Sequence, residues 1–227
     1  MSRIIIFDVN ETLLDLRALD PHFQRVFGDA AVRGQWFAQV LQSALVATIT
    51  DAYRDFGSVG RAALEMTAAR RGVTLSDDDG AQILGAMRTL PPHPEVPGSL
   101  ALLRDAGLRL ATLTNSTQQV AEAQLTNAGL LGFFERVLSV DSVRRFKPAA
   151  EVYHTAAKSL GVEPSGLRLV AAHIWDVTGA MRAGCAAAFI ARPGMVLDPL
   201  ADPPDVVGPD LRVVTERILE LEKPAGR

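Results

Sequence analysis

The feature that most constrains this chain is a series of short apolar runs that leave no polar face, at residues 4–9, 108–113, 136–140, 167–172 and 187–191. A strand apolar on both sides cannot face water, so it belongs inside a parallel sheet covered by helices above and below. The intervening segments 99–106, 118–128 and 150–160 are amphipathic. Each is followed by a glycine (Gly107, Gly129, Gly161), the residue that most readily closes a helix C-terminus. This alternation predicts an α/β fold with a doubly wound parallel sheet.

One region breaks the alternation. Residues 16–91 contain helix-compatible stretches at 35–53 and 60–71 but no strand pattern. Ser76, followed by Asp77, Asp78 and Asp79, reads as a helix start with carboxylates at the positive end of the dipole. Pro91-Pro92-His93-Pro94 then ends the helical region. The expected organisation is a helical cap, 16–91, inserted into an α/β core made of 1–15 and 92–227.

Composition narrows the partners. The chain has 227 residues, 48% apolar, and a net charge of −3, so neither nucleic acid nor an anionic membrane is an expected partner. The single cysteine, Cys185, excludes an internal disulfide framework and a Cys-rich metal site; its apolar neighbours point to a buried, inert thiol. The sequence enters strand-like Arg3-Ile4-Ile5-Ile6 at once, leaving no room for a signal peptide, and no apolar run is long enough to span a bilayer. The expectation is a soluble, cytoplasmic protein.

In an open α/β sheet, ligands bind beyond the carboxyl ends of the strands. Four polar clusters sit there: Asp8-Val9-Asn10-Glu11-Thr12, Thr114-Asn115-Ser116, Lys147-Pro148 and His173-Ile174-Trp175-Asp176. Individually each is ordinary turn chemistry. Together they supply a carboxylate, hydroxyls, a cation and a second carboxylate. Those are the parts covalent catalysis by an aspartate needs.

The order Asp-x-x-x-Thr, Thr-Asn, Lys-Pro and a late Asp resembles the haloacid dehalogenase superfamily over nearly the whole chain, which implies a Rossmann-like core with a cap. The resemblance implies Asp8 as nucleophile, Thr114 as an orienting hydroxyl and Lys147 as the neutralising cation. Phosphatases of that superfamily use Mg²⁺, a general-acid aspartate two residues after the nucleophile, and paired acids in the fourth motif. Here those places hold Asn10, which cannot cycle a proton at neutral pH, and Ala172. Too few oxygens remain for a hard cation, so neither metal nor other cofactor is expected.

The run Trp175-Asp176-Val177-Thr178-Gly179-Ala180 is similar to that of the L-2-haloacid dehalogenases, as are Leu138-Ser139-Val140-Asp141 and Tyr153. That subfamily displaces halide from a small 2-haloalkanoate through an aspartyl ester and then hydrolyses the ester. By resemblance, Thr12, Thr114 and Lys147 hold the carboxylates, Asn115 binds halide, Asp176 directs the hydrolytic water, Tyr153 supports the lysine and Trp175 walls the pocket. A homodimer is also implied. Three positions depart from the subfamily: Phe37 replaces the cap arginine, Asn10 the usual aromatic and His173 the usual asparagine. Phe37, Leu41 and Phe56 fall where the apolar pocket is lined, and Arg25, Arg33 or Arg54 are candidate replacements for the missing cation. A hydrolase of another small substrate (a strained carboxylate or residual phosphate ester) and a non-catalytic binding protein are the competing readings.

Overall fold

The computed structural model describes residues 2–222. Strands β1 (Ile4–Phe7), β2 (Leu110–Thr114), β3 (Arg136–Ser139), β4 (Leu167–Ala171), β5 (Ala186–Ile190) and β6 (Val206–Gly208) form one sheet in the order β3-β2-β1-β4-β5-β6. Every pairing is parallel. β1, β2 and β4 are buried at every residue, which is why their sequences lack a polar face. Helices α5 (Val96–Asp105), α6 (Gln118–Asn127), α7 (Ala150–Leu160), α8 (Ile174–Arg182) and α9 (Leu211–Leu221) connect and cover these strands.

Between β1 and α5 lie α1 (Asp20–Phe27), α2 (Val32–Ile49), α3 (Phe56–Arg70) and α4 (Asp77–Ala86), with short 3-10 turns and no strand longer than an isolated bridge. Ser76 caps α4 as anticipated, its side chain accepting from the Asp79 amide. The two chain crossings into this helical insertion run side by side: Asp15 N donates to Pro91 O at 2.9 Å and His93 N to Leu13 O at 3.0 Å. Trp36, Phe23 and Phe37 form its aromatic centre, with the Trp36 ring 5.4 Å from Phe23 and 6.0 Å from Phe37.

The structure differs from the sequence expectation at several ends. β1 stops at Phe7 rather than 9, which frees Asp8 onto the loop, and β2 begins at Leu110 rather than 108. β6 and α9 are additions. β6 is three residues long and follows Pro203-Pro204-Asp205, where proline and aspartate hide any strand signal. No helix among the described residues is long and apolar enough to cross a membrane.

One glycine is required by close approach. A Cβ on Gly179 would overlap Pro148 Cβ and stand 2.7 Å from the Tyr153 hydroxyl oxygen. Its absence lets α8 press against Pro148 and α7, which brings the side chains of Asp176, Lys147 and Tyr153 together.

Candidate active site

The sheet order reverses between β1 and β4, and the polar clusters that end these strands meet there. Asp8 continues the β1 ladder by one bond, its amide donating to Val170 O at 3.1 Å, and then projects its side chain from the sheet edge. That carboxylate is 5% exposed and is held from three sides. Thr12 Oγ1 donates to Oδ2 at 2.7 Å, Lys147 Nζ to Oδ1 at 2.9 Å, and His173 Nδ1 lies 3.2 Å from Oδ2. Burial alone would raise its pKa, but the charges and donors of Lys147 and His173 reverse that and hold it well below the usual carboxylate range. Asp8 is therefore ionised while buried.

Lys147 stands between two buried carboxylates. Its Nζ reaches Asp8, Leu113 O at 2.9 Å and Asp176 Oδ2 at 2.5 Å. Burial opposes its charge, yet Asp176 and Asp8 raise its pKa, so the ammonium is retained. The other oxygen of Asp176 accepts from the Tyr153 hydroxyl at 2.6 Å. Burial, reinforced by Asp8, raises the Asp176 pKa against the pull of Lys147. Tyr153, fully buried on α7, thus holds Asp176 from behind and does not line the pocket.

Sequence reasoning missed one residue of this site, Glu11. His173 bridges two carboxylates, with Nε2 2.9 Å from Glu11 Oε2 and Nδ1 against Asp8. Burial would discharge the ring, but the bonds to Asp8 and Glu11 outweigh it and raise its pKa to about 9. His173 is an imidazolium at neutral pH. Glu11 reaches it from a left-handed backbone (φ 62°), with its amide bonded to Leu14 O at 2.9 Å and its carbonyl 3.3 Å from His93 Nε2. An acidic residue at the third position after Asp8, in a tight polar turn, was the available signal.

The remaining candidates divide. Asn115 Oδ1 accepts from the Lys147 amide at 3.0 Å, which leaves its NH2 as the free end of the amide. Trp175 stacks on His173 at 5.1 Å, and its buried Nε1 has no partner. Asn115, Trp175, Lys147, Leu41 and Ala44 surround a small void of about 20 Å³. Thr114 is buried, its hydroxyl accepting from the Ser116 amide at 3.2 Å, and the Asp8 carboxylate is bonded by Thr12, Lys147 and His173. Asn10 turns away from Asp8: its Nδ2 donates to Ser116 Oγ at 3.3 Å and its Oδ1 accepts from Gln124 Nε2 at 3.0 Å.

Phe37 packs 6.2 Å from the His173 ring, where an apolar side chain leaves the imidazolium unopposed. Of the three candidate arginines, Arg25 pairs with Asp79 and Arg54 reaches only Tyr53 O. Arg33 binds Asp20 at 2.6 Å and comes within 3.7 Å of Glu11 Oε1. The second cation beside Asp8 is His173 itself.

A cavity of about 480 Å³ lies away from the carboxylates. It lies between the inserted helices and the start of α6, lined by Trp36, Phe37, Phe56, Met87, Ser116 and Val120, and meets the site at Phe37 and Ser116. The donors do not suit a hard cation. Both Asp176 oxygens are taken by Lys147 and Tyr153, Asn10 Oδ1 is taken by Gln124, and Ala172 offers no side-chain oxygen. What the residues do assemble is an ionised carboxylate, a charge-balancing lysine, and an imidazole–carboxylate pair on the carboxylate's far oxygen.

A family model described as haloacid dehalogenase-like hydrolase matches residues 3–184. The chain is 31% identical to the (S)-2-haloacid dehalogenase of Pseudomonas sp. (strain YL), over 93% of this chain and 92% of the relative. It is 27% identical to haloacetate dehalogenase H-2 of Moraxella sp. (strain B), over 94% of this chain and 96% of the relative. Among solved structures it is similar to the L-2-haloacid dehalogenase of Xanthobacter autotrophicus with chloropropionic acid covalently bound. That comparison has a TM-score of 0.89 and 28% identity, covering 96% of this chain and 98% of that one.

Proposed function

Because the chain belongs to the haloacid dehalogenase-like hydrolase family, we propose that it is a metal-independent dehalogenase of small 2-haloalkanoic acids working through an ester on Asp8. The observation that carries this reading is the state of Asp8: buried, ionised, and held by Lys147 and Thr12. A carboxylate in that condition is an oxygen nucleophile. It attacks the halogen-bearing carbon and the halide leaves as an anion, needing no proton, so the absence of an acid at Asn10 is no handicap.

Trp175 Nε1, which has no partner, and the NH2 of Asn115, whose oxygen is bound to the Lys147 amide, lie on the small void beside Lys147 and supply donors for the departing halide. Lys147 balances Asp8 and Asp176 and remains to compensate the substrate carboxylate. The apolar cavity that meets the site at Phe37 and Ser116 suits the approach of a small organic acid.

The second half-reaction needs a base. Asp176, committed to Lys147 and Tyr153, is a positioning group for the lysine; His173, backed by Glu11, faces the carboxylate that becomes the ester. Esterification removes the Asp8 charge, which is one of the two interactions holding the proton on His173. The imidazole can then release it and take a proton from water attacking the carboxyl carbon. Phe37 contributes by placing no competing cation beside that ring.

The same reading takes residues 16–91 as a cap and 1–15 with 92–227 as the catalytic core; Met1 and residues 223–227 lie outside the described structure. It also includes a cytoplasmic homodimer, for which the exposed Leu45, Val46 and Ile49 on α2 supply an apolar face, and sedimentation would test the oligomeric state. The activity itself is tested by halide release from chloro-, bromo- and fluoroacetate and from both 2-halopropionate enantiomers, with and without chelator. Chelator-insensitive release that Asp8→Asn abolishes supports the reading. Mg²⁺-dependent phosphate release from an aryl phosphate, without halide release, overturns it.

A further inference from the structure

We propose that the polar cleft on the outer side of Glu11 is the port through which the hydrolytic half-reaction exchanges its proton with solvent, separate from the apolar cavity on the Phe37 side. This inference rests on the Asp8-ester chemistry above and assigns it an exit. Converting a carbon–halogen bond and water into an alcohol and halide liberates one proton per turnover. The groups around Asp8 cannot pass it directly to bulk water: side-chain exposure is 7% for Asp8 and His173 and nil for Lys147 and Asp176. Glu11, at 17%, is the connected group that opens outward.

It opens into a cleft of about 270 Å³ lined by Arg33, His93, Glu95, Arg192 and Met195, among others. The walls are fixed by their own bonds. Arg192 donates to Thr12 O at 2.7 and 3.1 Å and pairs with Glu95 at 2.9 Å, His93 holds the Glu11 carbonyl, and Arg33 stands 3.7 Å from the Glu11 carboxylate. A charged, rigid wall keeps such a space wet. The opposite cavity is lined mainly by apolar side chains and offers no comparable chain of acceptors.

The proton inventory closes. Alkylation joins an Asp8 oxygen to the substrate carbon and expels halide. The His173 imidazolium then loses one proton, relayed by Glu11 to water in the cleft, and exchange of the remaining ring proton through that water carries it from Nδ1 to Nε2, so that Nδ1 faces the ester as an acceptor. Neutral His173 accepts a proton from the attacking water as that oxygen bonds to Asp8 Cγ. Collapse of the adduct breaks the bond between Cγ and the alcohol oxygen, which takes up the water's other proton as it leaves. Asp8 returns as a carboxylate and His173 as an imidazolium, and one proton has left.

The test fills the cleft without touching the catalytic groups, using Met195→Trp and Pro209→Trp, both on the cleft lining, in the full chain. Halide release is followed by rapid quench and in the steady state. The port predicts an unchanged burst rate, a severalfold slower steady state, and a larger solvent deuterium effect on that steady rate. Burst amplitude counts competent sites, so misfolding appears as lost amplitude and not as a lower rate per site. If both variants keep parental steady rates at full amplitude, the port is overturned. If His173→Asn fails to accumulate the ester, the underlying hydrolytic reading falls instead, so the two failures are distinguishable.

Discussion

Replacing His173 with asparagine separates the two half-reactions. The asparagine amide can still donate to Asp8 Oδ2, where Nδ1 now stands at 3.2 Å, but it cannot take a proton, and the 2.9 Å link to Glu11 is lost. Lys147 and Thr12 remain at 2.9 and 2.7 Å, so Asp8 stays ionised and alkylation persists, slowed by roughly tenfold, the lower end of what one hydrogen bond to a charged group is worth. Loss of a general base removes about 10²–10⁴-fold from the step it serves, or roughly 3–5 kcal/mol of barrier. His173→Asn should therefore release close to one halide per site in a burst and then turn over at least about 100-fold more slowly than the parent. Rapid-quench halide analysis reads both phases. Mass spectrometry of the quenched protein should show the substrate's carboxyalkyl group on the peptide containing Asp8. A variant that slows burst and steady state equally, with no adduct, would refute the assignment of His173 to hydrolysis.

Three further outcomes follow from the geometry. His173 has a folded-state pKa raised to about 9 from 6.5, so its contribution to stability is complete below about pH 6.5 and disappears as pH rises through 9. The difference in unfolding free energy between parent and His173→Asn should shrink over that window by on the order of 3 kcal/mol, measured by denaturant titration at several pH values. Tyr153→Phe keeps the ring but leaves Asp176 Oδ1 without its 2.6 Å donor, which should destabilise the fold by about 1–3 kcal/mol in the same titration. Gly179→Ala forces a methyl against Pro148 and Tyr153 and should cost about 1–3 kcal/mol or more while lowering the burst rate, because α8 must retreat and carry Asp176 away from Lys147.

Much of this architecture was legible in the sequence because local pattern and tertiary role agree. Strands β1, β2 and β4 are buried on both faces, so their apolar runs could only be interior strands, and the polar clusters that end them fall where the sheet order reverses. Asp8, Thr12, Lys147 and Asp176 do converge, with Lys147 meeting Asp8 across 139 positions of sequence. β6 was not legible, since a three-residue edge strand beside two prolines has no pattern to detect.

The protonation state of His173 was illegible for another reason. It depends on carboxylates 165 and 162 residues away that meet the ring only in the folded state. Asp176 likewise reads from its motif as a water-directing group, yet its environment is set by Tyr153, which nothing in the local sequence reveals. Phe37 gains its meaning only from the 6.2 Å approach to His173, which shows why a guanidinium there would be repelled.

The central claim is that water attacks the carboxyl carbon of an Asp8 ester and never the substrate carbon. A single turnover with enzyme in excess, run in water labelled with heavy oxygen, tests it most directly. The label should enter the peptide containing Asp8, while the hydroxy acid released carries the unlabelled oxygen that Asp8 donated. Label in the hydroxy acid and none in the protein would contradict it.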